Sequence, residues 1–504
     1  MADSQSDCRA AQIAQPSGIP NTAAVPGGRW KAPSHAAYDP LVRRFLAAIF
    51  RRLAEALVRL YYPARVVEGR ERIPSGKPLV FVLNHPNGLL DPMVLRVATG
   101  WPARFLAKGT LFRNPFSRLA MEAFGSIPIH RAKEAGARAA DASRNDESFA
   151  RCRAELAAGG ALALFPEGVS HSDPQLRPLK TGAARIALSA EAEDDGKLGV
   201  TVVPVGLCYE RKALFRSSVL LVVGEPIAVA ALLGDYRRDE RAAVGALTET
   251  IDARLDDVVL QAESRDLLAG IARVARWTSD RTSERASDRT SDGPAQDLAA
   301  QHARARALAD AYARLRARDP ARVEAIAGEV RAYTRVLRQM GVRDPWALEL
   351  APLAPGALAA AFGRMLAAAP LAAIGAVMGW LPYRLAGEVA KRVTRDEDLL
   401  STVKLLAGAL FLAVAWGLEA TIAGFAWGPL WAAPTFAAGI ATGYVALRFE
   451  ELRREAAEAW RLVMLRAFHH QTTARLAERR RALAEEVARG LRDADADGGD
   501  QAIA

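Results

Sequence analysis

Between residues 66 and 227 short apolar runs alternate with segments of helical spacing. That alternation limits the fold more than any other feature of the chain. Strands are predicted at 79–83, 104–107, 126–129, 161–165, 200–205 and 219–223. Helices are predicted at 92–99, 116–123, 147–158 and 181–190. A segment that switches period in this way folds as an α/β domain, with a mostly parallel sheet flanked by helices.

The run Leu79 to Leu83 stops at a dense set of breakers, Asn84-His85-Pro86-Asn87-Gly88. Asp91-Pro92 then reads as a helix start, with Asp91 as N-cap and Pro92 in the first turn. His85 therefore stands at the carboxyl end of a strand, where open α/β sheets bind ligands. A neutral imidazole can take a proton from a hydroxyl when a carboxylate holds its other nitrogen, and Asp91 is placed to do so. A solvated loop histidine beside a capping aspartate fits the same residues.

Three further strand ends carry polar groups. Lys108-Gly109-Thr110 follows one run, and Gly125-Ser126-Ile127-Pro128-Ile129-His130-Arg131 contains another. Arg131 there is a candidate phosphate contact or a surface arginine. Phe165-Pro166-Glu167-Gly168-Val169-Ser170-His171 ends the next run; Glu167 would fix a hydroxylated substrate or cap a turn. Val203-Pro204-Val205-Gly206 reads as a strand ending in a small-residue turn that lets a ligand approach.

Lys and Arg outnumber Asp and Glu by 67 to 57, a net charge of +10. That balance suits nucleic acid, an anionic membrane face or acidic substrates, and no aromatic-basic interleaving or zinc module favours nucleic acid. Cys8, Cys152 and Cys208 are too scattered for a disulfide framework or a metal site, which points to a reducing compartment. No metal-ligand set and no cofactor motif is visible. Residues 1–36 read as disordered and not as a secretory signal. Residues 38–62 form an amphipathic helix with a basic face, either an interfacial helix or a helix packed on the domain. The α/β domain is expected over 63–235 and a helical region over 236–350, broken by a low-complexity linker at 278–295.

Residues 365–447 form a hydrophobic membrane region, followed by a helical tail over 448–504. A bilayer crossing takes about 20 mostly apolar residues. Segments 405–427 and 430–447, joined at Gly428-Pro429, make a two-span hairpin, while 365–381 is shorter and reads as re-entrant or interfacial. Arg384, Lys391, Arg392, Arg395 and Lys404 precede the hairpin and Arg448, Arg453 and Arg454 follow it. The positive-inside rule places both flanks, and the α/β domain with them, on the cytoplasmic face of the cell membrane. Buried helices of a soluble domain are the alternative for such Ala-rich segments.

In order and spacing, His85…Asp91, Gly125–Arg131, Phe165–Gly168 and Val203–Val205 resemble the four blocks of the phospholipid/glycerol acyltransferase family. The resemblance covers roughly residues 60–230. It implies a glycerolipid acyltransferase-like fold and transfer of a fatty acyl group from acyl-CoA or acyl-ACP to a glycerol phosphate or lysophospholipid hydroxyl. It implies His85 and Asp91 as the catalytic pair, and Asn84, Lys108, Arg131, Glu167, Gly168, His171 and Lys180 as substrate-binding residues. The acyl thioester would be a co-substrate, with no other cofactor.

Two departures stand out. Five residues separate His85 from Asp91 where the commonest family form has four, as in a subgroup resembling the yeast glycerol-3-phosphate/dihydroxyacetone-phosphate acyltransferases. Many relatives also carry an Arg soon after the Glu-Gly pair, where this chain has Val169-Ser170-His171. Arg131, Arg177, Lys180 or His171 would then meet the phosphate. A membrane-anchored scaffold or lipid-binding protein on the same fold is the competing reading, although it has no need of His85, Asp91, Arg131 or Glu167.

Overall fold

The structure is a computed structural model that describes residues 40–113, 115–129, 139–278, 293–342, 355–394 and 396–496. The predicted disordered N-terminus, Arg131 and most of the predicted linker lie outside the described residues. The chain divides into two compact units, Met1–Leu46 and Ala47–Ala504, and all contacts given below lie within the second.

The elements run α1 (Pro40–Tyr61), β1 (Arg65–Glu68), β2 (Leu79–Leu83), α2 (Leu90–Thr99), β3 (Arg104–Lys108), α3 (Pro115–Ala123), β4 (Ile127–Ile129), α4 (Ala139–Ala157), β5 (Ala161–Leu164), α5 (Gly182–Glu193), β6 (Thr201–Tyr209), β7 (Val219–Val223) and β8 (Ile227–Ala228). Helices follow: α6 (Leu233–Arg238), α7 (Glu240–Asp256), α8 (Arg265–Trp277), α9 (Gly293–Arg318), α10 (Pro320–Gln339), α11 (Pro355–Val393), α12 (Glu397–Trp427), α13 (Ala432–Phe468) and α14 (His470–Ala496).

The strands form one sheet in the order β1-β7-β6-β2-β5-β3-β4, with β8 against β6. Every pairing among the described residues is parallel except those of β7 and β8 with β6. Because side chains alternate along a strand, each face of β2 serves its own core. Leu79, Phe81 and Leu83 pack with Val58 and Tyr61 of α1 and with Leu90 and Val94 of α2. Val80 and Val82 pack with Ile186 of α5 and with Leu247 and Ile251 of α7. The mostly parallel α/β architecture expected from the alternation is therefore present, with helices on both faces. Beyond Ala47, α1 buries Ala54 and Val58 in the domain and leaves Ile49 and Leu53 exposed.

Two strands were not legible. β1 is a short edge strand without a buried residue, and β8 pairs over only two positions. β6 differs from expectation in the other direction. It continues through Gly206 to Tyr209, and Gly206 adjoins protein: a Cβ there would stand 2.2 Å from the Val258 carbonyl oxygen. The glycine lets the chain beyond α7 cross the strand closely, and the small-residue turn predicted there does not form.

The C-terminal region contains the predicted hairpin as α12 and α13, and a third long apolar helix, α11, where a shorter piece was predicted. Three helical stretches, Phe362–Val393, Glu397–Trp427 and Pro429–Arg454, are long and apolar enough to cross a bilayer. Their large side chains face outward: Val377 is 82% exposed, and Phe425 and Leu430 are each 88% exposed. Such a continuous apolar surface points to membrane association. The tail is helical, and it is not one continuous helix: it breaks at His469 and α14 returns to pack on α8, α9 and α10. Leu476 and Leu483 of α14 share a core with Trp277, Val330, Tyr333 and Leu337.

Gly206→Ala is expected to destabilise the α/β domain by about 1–3 kcal/mol, because backbone on both sides must move. Denaturant unfolding of the variant beside the wild type measures it.

Candidate active site

The site begins where the β2 ladder ends. Beyond the Leu83–Val205 pair, Asn84 takes over: its Nδ2 donates to Leu207 O at 3.2 Å and its Oδ1 accepts from Leu207 N at 2.7 Å. This clamp fixes the backbone just before His85. The neighbouring strand β5 ends beside it, and the His85 ring stacks on Phe165 with centroids 4.0 Å apart and planes 21° apart.

From His85 the chain turns back on itself. Leu90 N donates to Asn87 O at 3.1 Å and Asp91 N to Gly88 O at 3.3 Å, so α2 starts early and places Asp91 within reach of the histidine. Asp91 Oδ2 lies 2.9 Å from His85 Nδ1 and also accepts from Asn87 N at 2.8 Å. Asp91 Oδ1 accepts from the Tyr209 hydroxyl at 2.7 Å. Asp91 is thus a fully buried acceptor of three hydrogen bonds, and not the N-cap expected of it; the helix cap at Leu89 makes no side-chain bond. The five-residue spacer closes this pair without difficulty.

A carboxylate can only accept, so the shared proton sits on His85 Nδ1 and Nε2 keeps its lone pair. Among the described residues no protein group is hydrogen-bonded to Nε2. His85 lines a cleft of about 800 Å³, a size typical of small-molecule sites. Its lining combines apolar side chains, Leu89, Phe105, Leu106, Leu111 and Phe165, with polar ones, Ser170, His171, Asp173, Arg177, Arg265 and Glu397.

A second buried carboxylate holds the same loop from the far side. Glu167 Oε1 accepts from His85 N at 3.0 Å, and Oε2 accepts from Arg177 N at 2.9 Å and bonds His171 Nε2. His171 N in turn donates to His85 O at 3.1 Å. His171 Nδ1 accepts from Asp173 N at 3.2 Å, so both of its ring nitrogens are occupied.

Of the residues expected at the site, the structure brings His85, Asp91, Lys108 and His171 together around the cleft. Asn84 and Glu167 stand behind His85, with their side-chain polar atoms bonded to protein. Gly168 adopts φ +73° in the turn after β5, and the Lys180 side chain lies over it. Gly168 and Lys180 are absent from the cleft lining. Arg131 falls outside the described residues.

Sequence reasoning missed the tyrosines. Tyr62 accepts from Asn87 Nδ2 at 2.7 Å and donates to Lys212 O at 2.6 Å. Burial raises the hydroxyl pKa of both Tyr62 and Tyr209, and the Asp91 charge raises Tyr209 further. Both remain neutral donors. The one local signal was polar tips at the end of α1 and of an apolar run. Lys212 Nζ donates to Pro86 O at 3.0 Å and bonds Ser172 Oγ; burial lowers its pKa, and Glu397 and Asp398 oppose that shift. No cluster of three metal-ligating side chains occurs among the described residues.

This constellation defines a class: a histidine held by a carboxylate at the carboxyl edge of a mostly parallel sheet, beside a cleft lined by both apolar and polar side chains. Residues 64–208 match the Acyltransferase family. It is 38% identical over 133 residues to the glycerol-3-phosphate O-acyltransferase 2 of Saccharomyces cerevisiae, covering 26% of this chain and 18% of that one. It is 24% identical over 186 residues to the 1-acyl-sn-glycerol-3-phosphate acyltransferase of Borreliella burgdorferi, covering 36% of this chain and 67% of that one. The solved 1-acyl-sn-glycerophosphate acyltransferase PlsC of Thermotoga maritima overlaps 44% of this chain and 85% of its own at 21% identity, with a TM-score of 0.29. That likeness is too loose to carry residue correspondences.

Glu167→Ala strands three donors that the carboxylate now satisfies. It is expected to cost about 2–4 kcal/mol of stability, measurable by denaturant unfolding.

Proposed function

We propose that this protein transfers a fatty acyl group from acyl-CoA or acyl-ACP to the hydroxyl of a glycerol phosphate or lysophospholipid, at a membrane surface. The observation that carries the proposal is the 2.9 Å His85–Asp91 contact at a residue that lines a cleft of mixed apolar and polar character, which supports an amphipathic substrate. Nε2 takes the acceptor's hydroxyl proton as its oxygen attacks the thioester carbonyl. The carbon–sulfur bond breaks, and the proton passes from His85 to the departing thiolate. Asp91 holds the ring and stabilises the imidazolium. The apolar lining residues suit the acyl chain and the polar ones the headgroup. The printed activities of the two curated relatives support glycerol 3-phosphate and 1-acylglycerol 3-phosphate as acceptors.

Packing supports a two-crossing arrangement. α10 and α14 share a core, with Arg479 bonded to Glu329 at 2.7 Å and Arg322 to Asp493 at 2.9 Å. They lie on one side of the bilayer, so the chain between them crosses an even number of times. The α12–α13 hairpin supplies two crossings, with the α/β domain on the cytoplasmic face of the cell membrane. The basic residues flanking the hairpin support that orientation.

His85→Ala is expected to lower acyl transfer by about 10²–10⁴-fold, and Asp91→Asn to lower kcat with little change in substrate KM. Labelled acyl-CoA and a panel of acceptors, read by product mass, test both; a His85→Ala protein with near wild-type turnover would refute the mechanism. In a cysteine-free background, a cysteine at position 428 is expected to react with impermeant maleimide from the side opposite a cysteine at 454.

A further inference from the structure

Two arginines line the cleft, and each is paired with a carboxylate that also lines it. Arg177 Nε lies 2.7 Å from Asp173 Oδ2, and Arg265 Nη1 lies 3.2 Å from Glu397 Oε2. The pairs share one neighbourhood. The Asp173 carboxyl is held below its usual pKa chiefly by the Arg177 hydrogen bond, and Arg265 also contributes. Arg265 comes from α8, beyond the family-matched segment, and Glu397 from the first turn of α12.

We propose that Arg177 and Arg265 form a seat for a substrate phosphate, and that Asp173 and Glu397 are built-in counter-ions displaced when the phosphate arrives. The source of that phosphate rests on the acyl-transfer reading above. Ser170 and His171 occupy the stretch where many relatives carry an arginine. His171 has both nitrogens occupied, and Ser170 bonds Asp398. Arg265 brings a guanidinium to the same cleft from a different element.

The exchange has a low barrier in energetic terms. The side chains of Arg265 and Glu397 are 57% and 59% exposed, and those of Arg177 and Asp173 are 45% and 43% exposed. Exposed pairs of this kind contribute little to stability. A phosphate offers each guanidinium fork more charge and paired oxygens. Glu397, once released, remains in the first turn of α12, where the helix dipole favours a carboxylate. Ser170 and Asp398 keep α12 against the cleft while Arg265 changes partner.

The test is calorimetric titration of full-length protein in nanodiscs with glycerol 3-phosphate and, separately, coenzyme A. The variants are Arg177→Gln, Arg265→Gln, Glu397→Gln and the Arg265→Gln/Glu397→Gln double variant. Either arginine variant is expected to weaken one ligand by about 10-fold or more, and Glu397→Gln to tighten the same ligand several-fold. The double variant should bind as weakly as Arg265→Gln alone. An effect confined to glycerol 3-phosphate assigns the seat to the acceptor headgroup, and one confined to coenzyme A to the donor's phosphates. Absence of binding by the wild type, unchanged affinity in both arginine variants, or weakening by Glu397→Gln would overturn the seat. A wild type that binds but transfers no acyl group leaves the seat standing and defeats the functional reading instead.

Discussion

Asp91 and Glu167 each bring a carboxylate out of water at the end of a central strand, and the geometry of the site depends on how that desolvation is offset. A buried carboxylate left without donors is strongly unfavourable, so each must collect hydrogen bonds from whatever the fold places nearby. Asp91 draws in the His85 ring, the Asn87 amide and the Tyr209 hydroxyl. Glu167 draws in the His85 amide, the Arg177 amide and the His171 ring. One residue, His85, is therefore held twice, by its side chain from α2 and by its backbone from the loop after β5. Phe165 fills the remaining side of the ring. The histidine is held in position by protein contacts alone, the pre-organisation that the proposed general base would need.

What could be read from the sequence follows the range of each interaction. β2 and β7 match their expected bounds because an apolar run between breakers is a local signal. The His85–Asp91 pair was legible for the same reason, as it closes within six residues. The role of Asp91 in the helix was misread because propensity favours aspartate as an N-cap, while the tertiary partners His85 and Tyr209 turn its carboxylate elsewhere. The partners of Asn84 and Glu167 were not legible. Leu207 is 123 positions from Asn84, and Glu167 is 82 positions from His85; only the parallel β2–β5 and β2–β6 registers bring them together. Gly206 carries the same lesson. A glycine in a strand signals close approach, and the approaching group is the Val258 carbonyl.

The C-terminal helices were legible as apolar segments, and their bearing on the cleft was not. Ser170 and Asp398 bond across 228 positions, and Asp396, Glu397 and Leu399 complete the cleft wall. The loop between β6 and β7 is fastened to the same helices. Ser401 donates to Lys212 O at 2.8 Å, Lys404 Nζ to Ala213 O at 2.9 Å, and Arg216 pairs with Glu451. Both ends of the α12–α13 hairpin thus hold the α/β domain at the side where His85 opens.

That attachment bears on how a lipid would reach His85. Each methylene of an acyl chain drawn from bilayer into water costs about 0.8 kcal/mol, so an apolar path to the site lowers the cost of bringing the chain there. A hairpin that entered the bilayer beside the cleft would place the mouth at the headgroup level. Leu399 of α12 lines the same cleft as Leu89, Phe105, Leu106 and Leu111, so the first turn of that helix adds apolar surface to the lining. On the acyl-transfer reading, the acyl chain would lie against these side chains while the hydroxyl reached His85, and the anionic headgroup would meet Arg177 and Arg265. A soluble domain with the same His85–Asp91 pair would have to lift its lipid out of the bilayer first, a step that the fastening of α12 at the cleft would shorten.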